Sequence, residues 1–73
     1  MPETRVETAR DVYAAVNGER KRKGMYWKEI TEKTRVAWET MKGWNLRDGA
    51  RIDCICEVLD ALGLEMVIRE KRA

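Results

Sequence analysis

The chain has 73 residues, a formal net charge of +2, two cysteines and no histidine. That length allows one small core, marginal enough that burying surface against a second copy would help it. No apolar run approaches the roughly 18 residues of a membrane span, and MPETRVETAR is not a signal peptide, so a cytoplasmic protein with no membrane partner is expected, in a bacterial cell or a phage-infected host.

Charge is unevenly placed. Between Arg20 and Arg51 there are ten basic residues against Glu29, Glu32, Glu39 and Asp48, which leaves +6 in the middle and −4 for the two ends together. A basic centre with acidic flanks suits an anionic partner on one face; a solvated charged surface is the plainer alternative.

In chain order, Pro2 to Thr4 start the chain loosely. From Arg5, Val6, Ala9, Tyr13 and Val16 fall on a helical stripe. Ala14 and Ala15 favour the helix and Gly18 weakens its middle. The helix is expected to run through Glu19–Lys23, where basic residues suit its C-terminal dipole, and to stop at Gly24. In YWKEITEKT, Trp27 and Ile30 face one way and Lys28, Glu29, Glu32 and Lys33 the others, predicting a second helix of about eight residues. TRV breaks it. A third helix starts near Ala37, with Val36, Thr40, Met41 and Trp44 pointing inward.

NLRDG reads as a loop, and the Asp48 carboxylate as a cap for a fourth helix. There Ile52, Ile55, Leu59 and Leu62 form an inward stripe with Cys56 and Val58 beside it, and Gly63 ends it. Cys54 and Cys56, two residues apart, cannot face each other on a helix, and without other soft ligands they make no zinc site. Buried or half-buried reduced thiols are expected. The tail LEMVIREK changes to a period of two: Leu64, Met66 and Ile68 alternate with Glu65, Val67 and Arg69. A lone strand must pair with another copy, with a partner protein, or with nothing. Apolar residues on both faces favour the second copy.

Two short helices joined by a tight turn, between two longer ones, describe a helix-turn-helix domain. GMYWKEITEKTRVAWETMKGW resembles the corresponding pattern of the Cro and phage-repressor type (Xre-like) DNA-binding family. Gly24, Met25, Glu29, Ile30, Val36, Thr40, Met41 and Trp44 fall on that pattern without a gap, and VLDALGLEM looks like its fourth-helix ending. The resemblance spans about residues 12–66. It implies a mainly all-α domain of four to five helices over residues 1–63. Residues 64–73 would be a short C-terminal β-strand and tail, which in some members, antitoxins included, pairs across a dimer through the positions of Leu64, Met66, Val67 and Ile68.

The resemblance also implies that the third helix docks in the DNA major groove and displays Ala37, Trp38, Glu39, Lys42 and Gly43. Glu39 can accept from cytosine N4, and Lys42 can reach guanine O6/N7 or a phosphate. Trp38 can lie on a thymine methyl or a sugar; with the helix rotated it would be core instead. Trp44 is core. Arg20, Tyr26, Trp27, Lys28, Arg35, Arg47 and Arg51 would contact or brace the DNA backbone, which positions the protein without reading sequence. Lys21, Arg22 and Lys23 would add long-range attraction.

Three residues depart from the family pattern. Arg35 stands where Gly is usual, at a cost on the order of 1 kcal/mol if φ is positive there. Ala37 replaces a capping Ser or Thr, costing about 1 kcal/mol. Glu19 replaces a Leu.

The expectation is a sequence-specific, homodimeric DNA-binding regulator of phage Cro-like or immunity type. It would repress by occupying an inverted repeat whose half-site centres lie roughly 34 Å apart. The second expectation is a protein-binding module anchored on Trp38 and Trp27, either sequestering a host factor or neutralising a toxin as an antitoxin. Enzyme chemistry is not expected: there is no nucleophile beside a base, no Gly-rich phosphate loop and no metal-ligand spacing. Glu29 and Glu32 read as a solvated helix face, and no cofactor is implied.

Overall fold

The computed structural model describes residues 3–47 and 49–71; the expected Asp48 cap lies outside them. Among the described residues four helices follow one another: α1 (Ala9–Arg22), α2 (Trp27–Thr34), α3 (Trp38–Arg47) and α4 (Ile52–Ala61). The protein is small and mainly helical, and among the described residues no helix is long and apolar enough to cross a membrane.

Each boundary has a local cause. α1 starts at Ala9 rather than at Arg5 because Thr8 and Asp11 form a capping box. Thr8 Oγ1 accepts the Asp11 N–H at 3.3 Å, and the Asp11 carboxylate accepts the N–H groups of Glu7 and Thr8 at 2.8 and 3.1 Å. Val6 is therefore left outside the helix and exposed, not part of an inward stripe. Gly24 and Gly63 close α1 and α4 at φ of 67° and 72°, a region glycine enters without a steric penalty.

α2 ends in a three-residue turn. Arg35 adopts φ 63°, ψ 8°, and its N–H donates to Thr31 O at 3.2 Å. The buried Thr34 hydroxyl donates to Ile30 O at 2.8 Å and accepts the Val36 N–H at 3.1 Å. One side chain thus satisfies a carbonyl at the end of α2 and an amide in the turn.

The core is Val12, Val16, Ile30, Val36, Met41, Trp44, Ile55, Val58, Leu59 and Leu62. α1 packs chiefly on α3, and α2 on α4. Arg10 Nε donates to Asn45 O at 3.1 Å near the end of α3. Lys23 Nζ donates to Leu62 O at 2.5 Å and so closes the end of α4.

Several inward assignments need correction. Thr40 is exposed although it lies one turn before the buried Trp44 on the same face, because it faces an open groove between α3 and residues 49–51. Ile52, the first residue of α4, is 67% exposed at an open groove that it shares with Val6 and Met66. Cys54 is half-buried and Cys56 exposed. Val12, missing from the expected stripe of α1, is buried. α3 continues to Arg47, so Asn45–Arg47 are helical rather than loop. The C-terminal strand does not form within the chain: residues 64–71 lie in neither helix nor β-ladder. A strand needs a ladder partner, and among the described residues there is none.

The turn makes a stability prediction. Arg35→Gly relieves a left-handed side chain and raises the unfolding free energy by about 1 kcal/mol, seen as a higher urea midpoint at unchanged m-value. A lower midpoint would mean that the Arg35 side chain stabilises the fold.

Candidate nucleic-acid interface

The site grows from the way α2 and α3 are set on α1. Trp27 and Trp38 are the first residues of their helices, and their ring centroids lie 4.7 Å apart. On its other side Trp27 stacks on Tyr13 of α1 at 5.4 Å and 16°. The Arg20 guanidinium carbon lies 4.8 Å from the Trp27 ring centroid, within cation–π range. A row of three aromatics thus joins the middle of α1 to the starts of α2 and α3.

Trp38 is neither core nor fully displayed: one side rests on Trp27 and 36% of the residue meets solvent. Next to it Glu39 and Lys42 are exposed, while Met41 and Trp44 on the opposite side are buried. Gly43 is half-buried and Ala37 exposed. The outer side of α3 therefore offers an indole edge, a carboxylate and an ammonium within two turns. Among the described residues neither Glu39 nor Lys42 takes part in an ion pair.

An open groove runs along the next side of α3 toward α4. It brings together Glu39, Thr40, Gly43, Arg47 and Arg51. Thr40 belongs to this site although its spacing from Trp44 predicts an inward position; only the open groove beside it shows otherwise.

The flanking residues divide into displayed and engaged. Tyr26 (74% exposed), Arg35 and Arg47 are displayed. Lys28 is exposed and lies 4.0 Å from Glu32. Arg51 is exposed and pairs with Asp53 at 3.0 Å. Trp27 is half-buried in the aromatic row. Arg20 is turned inward: Nη1 donates to Met25 O at 2.8 Å, and Nε and Nη2 to Asn17 Oδ1 at 3.2 and 2.8 Å. It braces the α1–α2 connection.

The basic run Arg20–Lys23 is likewise mostly engaged. Glu19 is only 5% exposed; Arg22 grips it through two 2.7 Å hydrogen bonds, and Lys23 lies 3.7 Å away. The Arg22 hydrogen bonds hold the Glu19 carboxyl below the usual carboxylate range against its desolvation, and raise Arg22 in turn. Of the four cations, Lys21 alone has no partner among the described residues. Backbone N–H groups of Glu7 and Thr8 similarly lower Asp11.

No family model matches the chain, and no curated protein or solved structure matches it either.

The two depressed carboxyls set a pH dependence. A folded-state pKa below the unfolded value adds stability above the unfolded value, and this is lost as pH falls through the folded one. Thermal melts of the wild-type chain should weaken on acidification through and below the ordinary carboxylate range. Glu19→Gln should be less stable near neutral pH and lose less on acidification; an acid limb identical to wild type would remove Glu19 as a cause.

Proposed function

We propose that the chain is a sequence-specific DNA-binding transcriptional regulator, a helix-turn-helix domain that sets α3 in the major groove. It acts as a homodimeric repressor of the phage Cro-like or immunity type on an inverted repeat. The observation that carries this reading is the two-sidedness of α3: Trp38, Glu39 and Lys42 exposed on one side, Met41 and Trp44 sealed on the other. An exposed helix bearing an acceptor, a donor and an apolar edge matches what base edges present in the major groove.

The flanks support the same reading. Tyr26 and Lys28 at the start of α2, Arg35 in the turn, Arg47 at the end of α3 and Arg51 before α4 place donors on either side of that helix. Such groups suit phosphates on either side of a groove. Glu39 and Lys42 are assigned to bases, Trp38 to a thymine methyl or sugar, and Gly43 to close backbone approach. Trp27 and Arg20 act from behind, by holding Trp38 and the α1–α2 connection.

One observation favours a protein partner instead. Trp38 and Tyr26 leave aromatic surface in solvent, and aromatic anchors are common at interface centres. On that second reading the same face docks a host factor or a toxin.

Fluorescence anisotropy on the duplex flanking the chain's own gene and on a shuffled duplex, across a salt series, separates the two. DNA reading predicts preference for the native duplex and a log–log salt slope of about −0.9 per neutralised phosphate. Lys42→Ala should weaken binding by about 1–3 kcal/mol and relax one base position if it reads guanine. It should instead weaken all sequences alike and lower the slope by about 1 if it holds a phosphate. Weak, equal and nearly salt-independent binding to both duplexes would sink the DNA reading in favour of the protein partner.

A further inference from the structure

The aromatic row has one open end. Tyr13 and Trp27 are half-buried and lie nearly parallel, 5.4 Å apart at 16°. The Arg20 guanidinium sits over the Trp27 ring at 4.8 Å, and its own hydrogen bonds to Asn17 and Met25 fix it there. Trp38 ends the row. Trp27 backs one of its faces at 4.7 Å, and among the described residues no second aromatic ring lies over the other. With 36% of the residue still in solvent, the stack is one ring short.

The core does not require this placement, since Met41 and Trp44 already seal the inner side of α3. The placement does prepare the ring for a ligand. Trp38 leans on Trp27, and Trp27 is held by Tyr13 and Arg20. A ring fixed in advance loses little rotamer freedom when something lands on it.

The charges around the open ring select what lands. Lys42, at i+4 from Trp38, lies one turn along the same side of α3 and takes part in no ion pair among the described residues. Arg35 in the turn and Lys28 at the start of α2 are exposed as well. Against them stand Glu39, about 100° round the helix from Trp38, and Glu32, which lies 4.0 Å from Lys28. A flat ligand that carries negative charge answers both the ring and the unpaired ammonium; an uncharged aromatic side chain answers only the ring. A nucleobase with its phosphate has both properties.

A base inside a duplex cannot supply the contact. Its two faces are covered by its neighbours, and the major groove displays edges. A base meets a ring face only after leaving the stack, which costs least where it is mismatched or already unpaired. Trp38 is the first residue of α3, and the N-terminal residues of a reading helix are the ones that approach the bases.

We propose that Trp38 is a stacking site for an unpaired nucleobase, with Tyr13, Trp27 and Arg20 as its backing. This rests on the nucleic-acid part of the reading above and adds to it a preference for DNA with one base out of the stack.

The test is fluorescence anisotropy at fixed salt on three labelled probes of one sequence. They are a perfect duplex, the same duplex with one extra unpaired thymidine, and that duplex with an abasic residue in the thymidine's place. The wild type should bind the thymidine bulge roughly 5- to 150-fold tighter than either of the others. Trp38→Phe keeps a stacking ring and should keep part of this preference. Trp38→Leu keeps apolar bulk without a π-face and should bind all three probes alike. Helical circular dichroism checks both variants, and the abasic probe tests the wild type by itself, so a variant that fails to fold leaves the test intact.

Equal binding of the wild type to the thymidine and abasic bulges overturns the proposal, as does a folded Trp38→Leu variant that keeps the preference. Preference for the native flanking duplex over a shuffled one, with no gain from the bulge, removes the stacking site and leaves the regulator reading. A gain from the bulge in any sequence context, with no preference among perfect duplexes, supports the stacking site and removes sequence-specific regulation. Weak binding to every probe overturns both.

Discussion

The angle between α2 and α3 hangs on one residue in the left-handed region. Arg35 at φ 63° reverses the chain directly after α2, and the Thr34 hydroxyl ties both sides of the reversal together. α2 has eight residues and α3 ten, lengths that do not hold a helix in water alone. Their order comes from Ile30, Met41 and Trp44 entering one core, with the turn bringing the two helices to it. The aromatic row secures the same arrangement from outside, with Tyr13 and Trp27 as the backing for Trp38. A side chain other than glycine at this φ is a standing strain. Its guanidinium lies on the surface beside the proposed reading helix, where a glycine would offer no charge, so stability and function pull position 35 in opposite directions.

The charges divide in a similar way between holding the fold and meeting a partner. Four consecutive cations at the end of α1 look like a binding patch in one dimension. In three, Arg20 carries the α1–α2 connection, Arg22 neutralises the buried Glu19, and Lys23 closes α4. Glu19 sits in a place that an apolar side chain could fill, and it is tolerated because Arg22 meets both of its oxygens. The positive charge left for an anionic partner therefore shifts from the end of α1 to Lys21, Lys28, Arg35, Lys42 and Arg47.

Much of the fold was legible from periodicity. The four helices, the glycine stops and the buried Trp44 follow from the spacing of apolar residues and from residues able to take positive φ. The misreadings share a cause: apolar spacing says which residues could face inward, not where the chain has something to cover them. Val6 and Ile52 lie on the right stripes but at the rim of a groove that stays open. Thr40 shares a face with Trp44 but borders a groove that stays open. Contacts between elements were the least legible. Nothing in the spacing of Tyr13, Trp27 and Trp38 announces a row, and Arg20 and Lys23 find their carbonyl partners only after the helices have packed. The tail kept its strand period and found no ladder, because the period is local and a ladder partner is not.

The outer side of α3 carries Glu39 beside Lys42, one charge of each sign. Glu39 lies in the first turn of the helix, where a negative charge is favoured by the dipole, so it has a structural reason to be there as well as a chemical one. Facing a groove lined by phosphates, that carboxylate is repelled unless a base donor meets it. A reader built this way gains discrimination at the expense of attraction. Arg20, Arg22 and Lys23 are engaged inside the fold, so on the proposed reading the compensating charge has to come from Lys21, Lys28, Arg35, Lys42 and Arg47. Linking two such domains would add to it by turning the second contact into an intramolecular one.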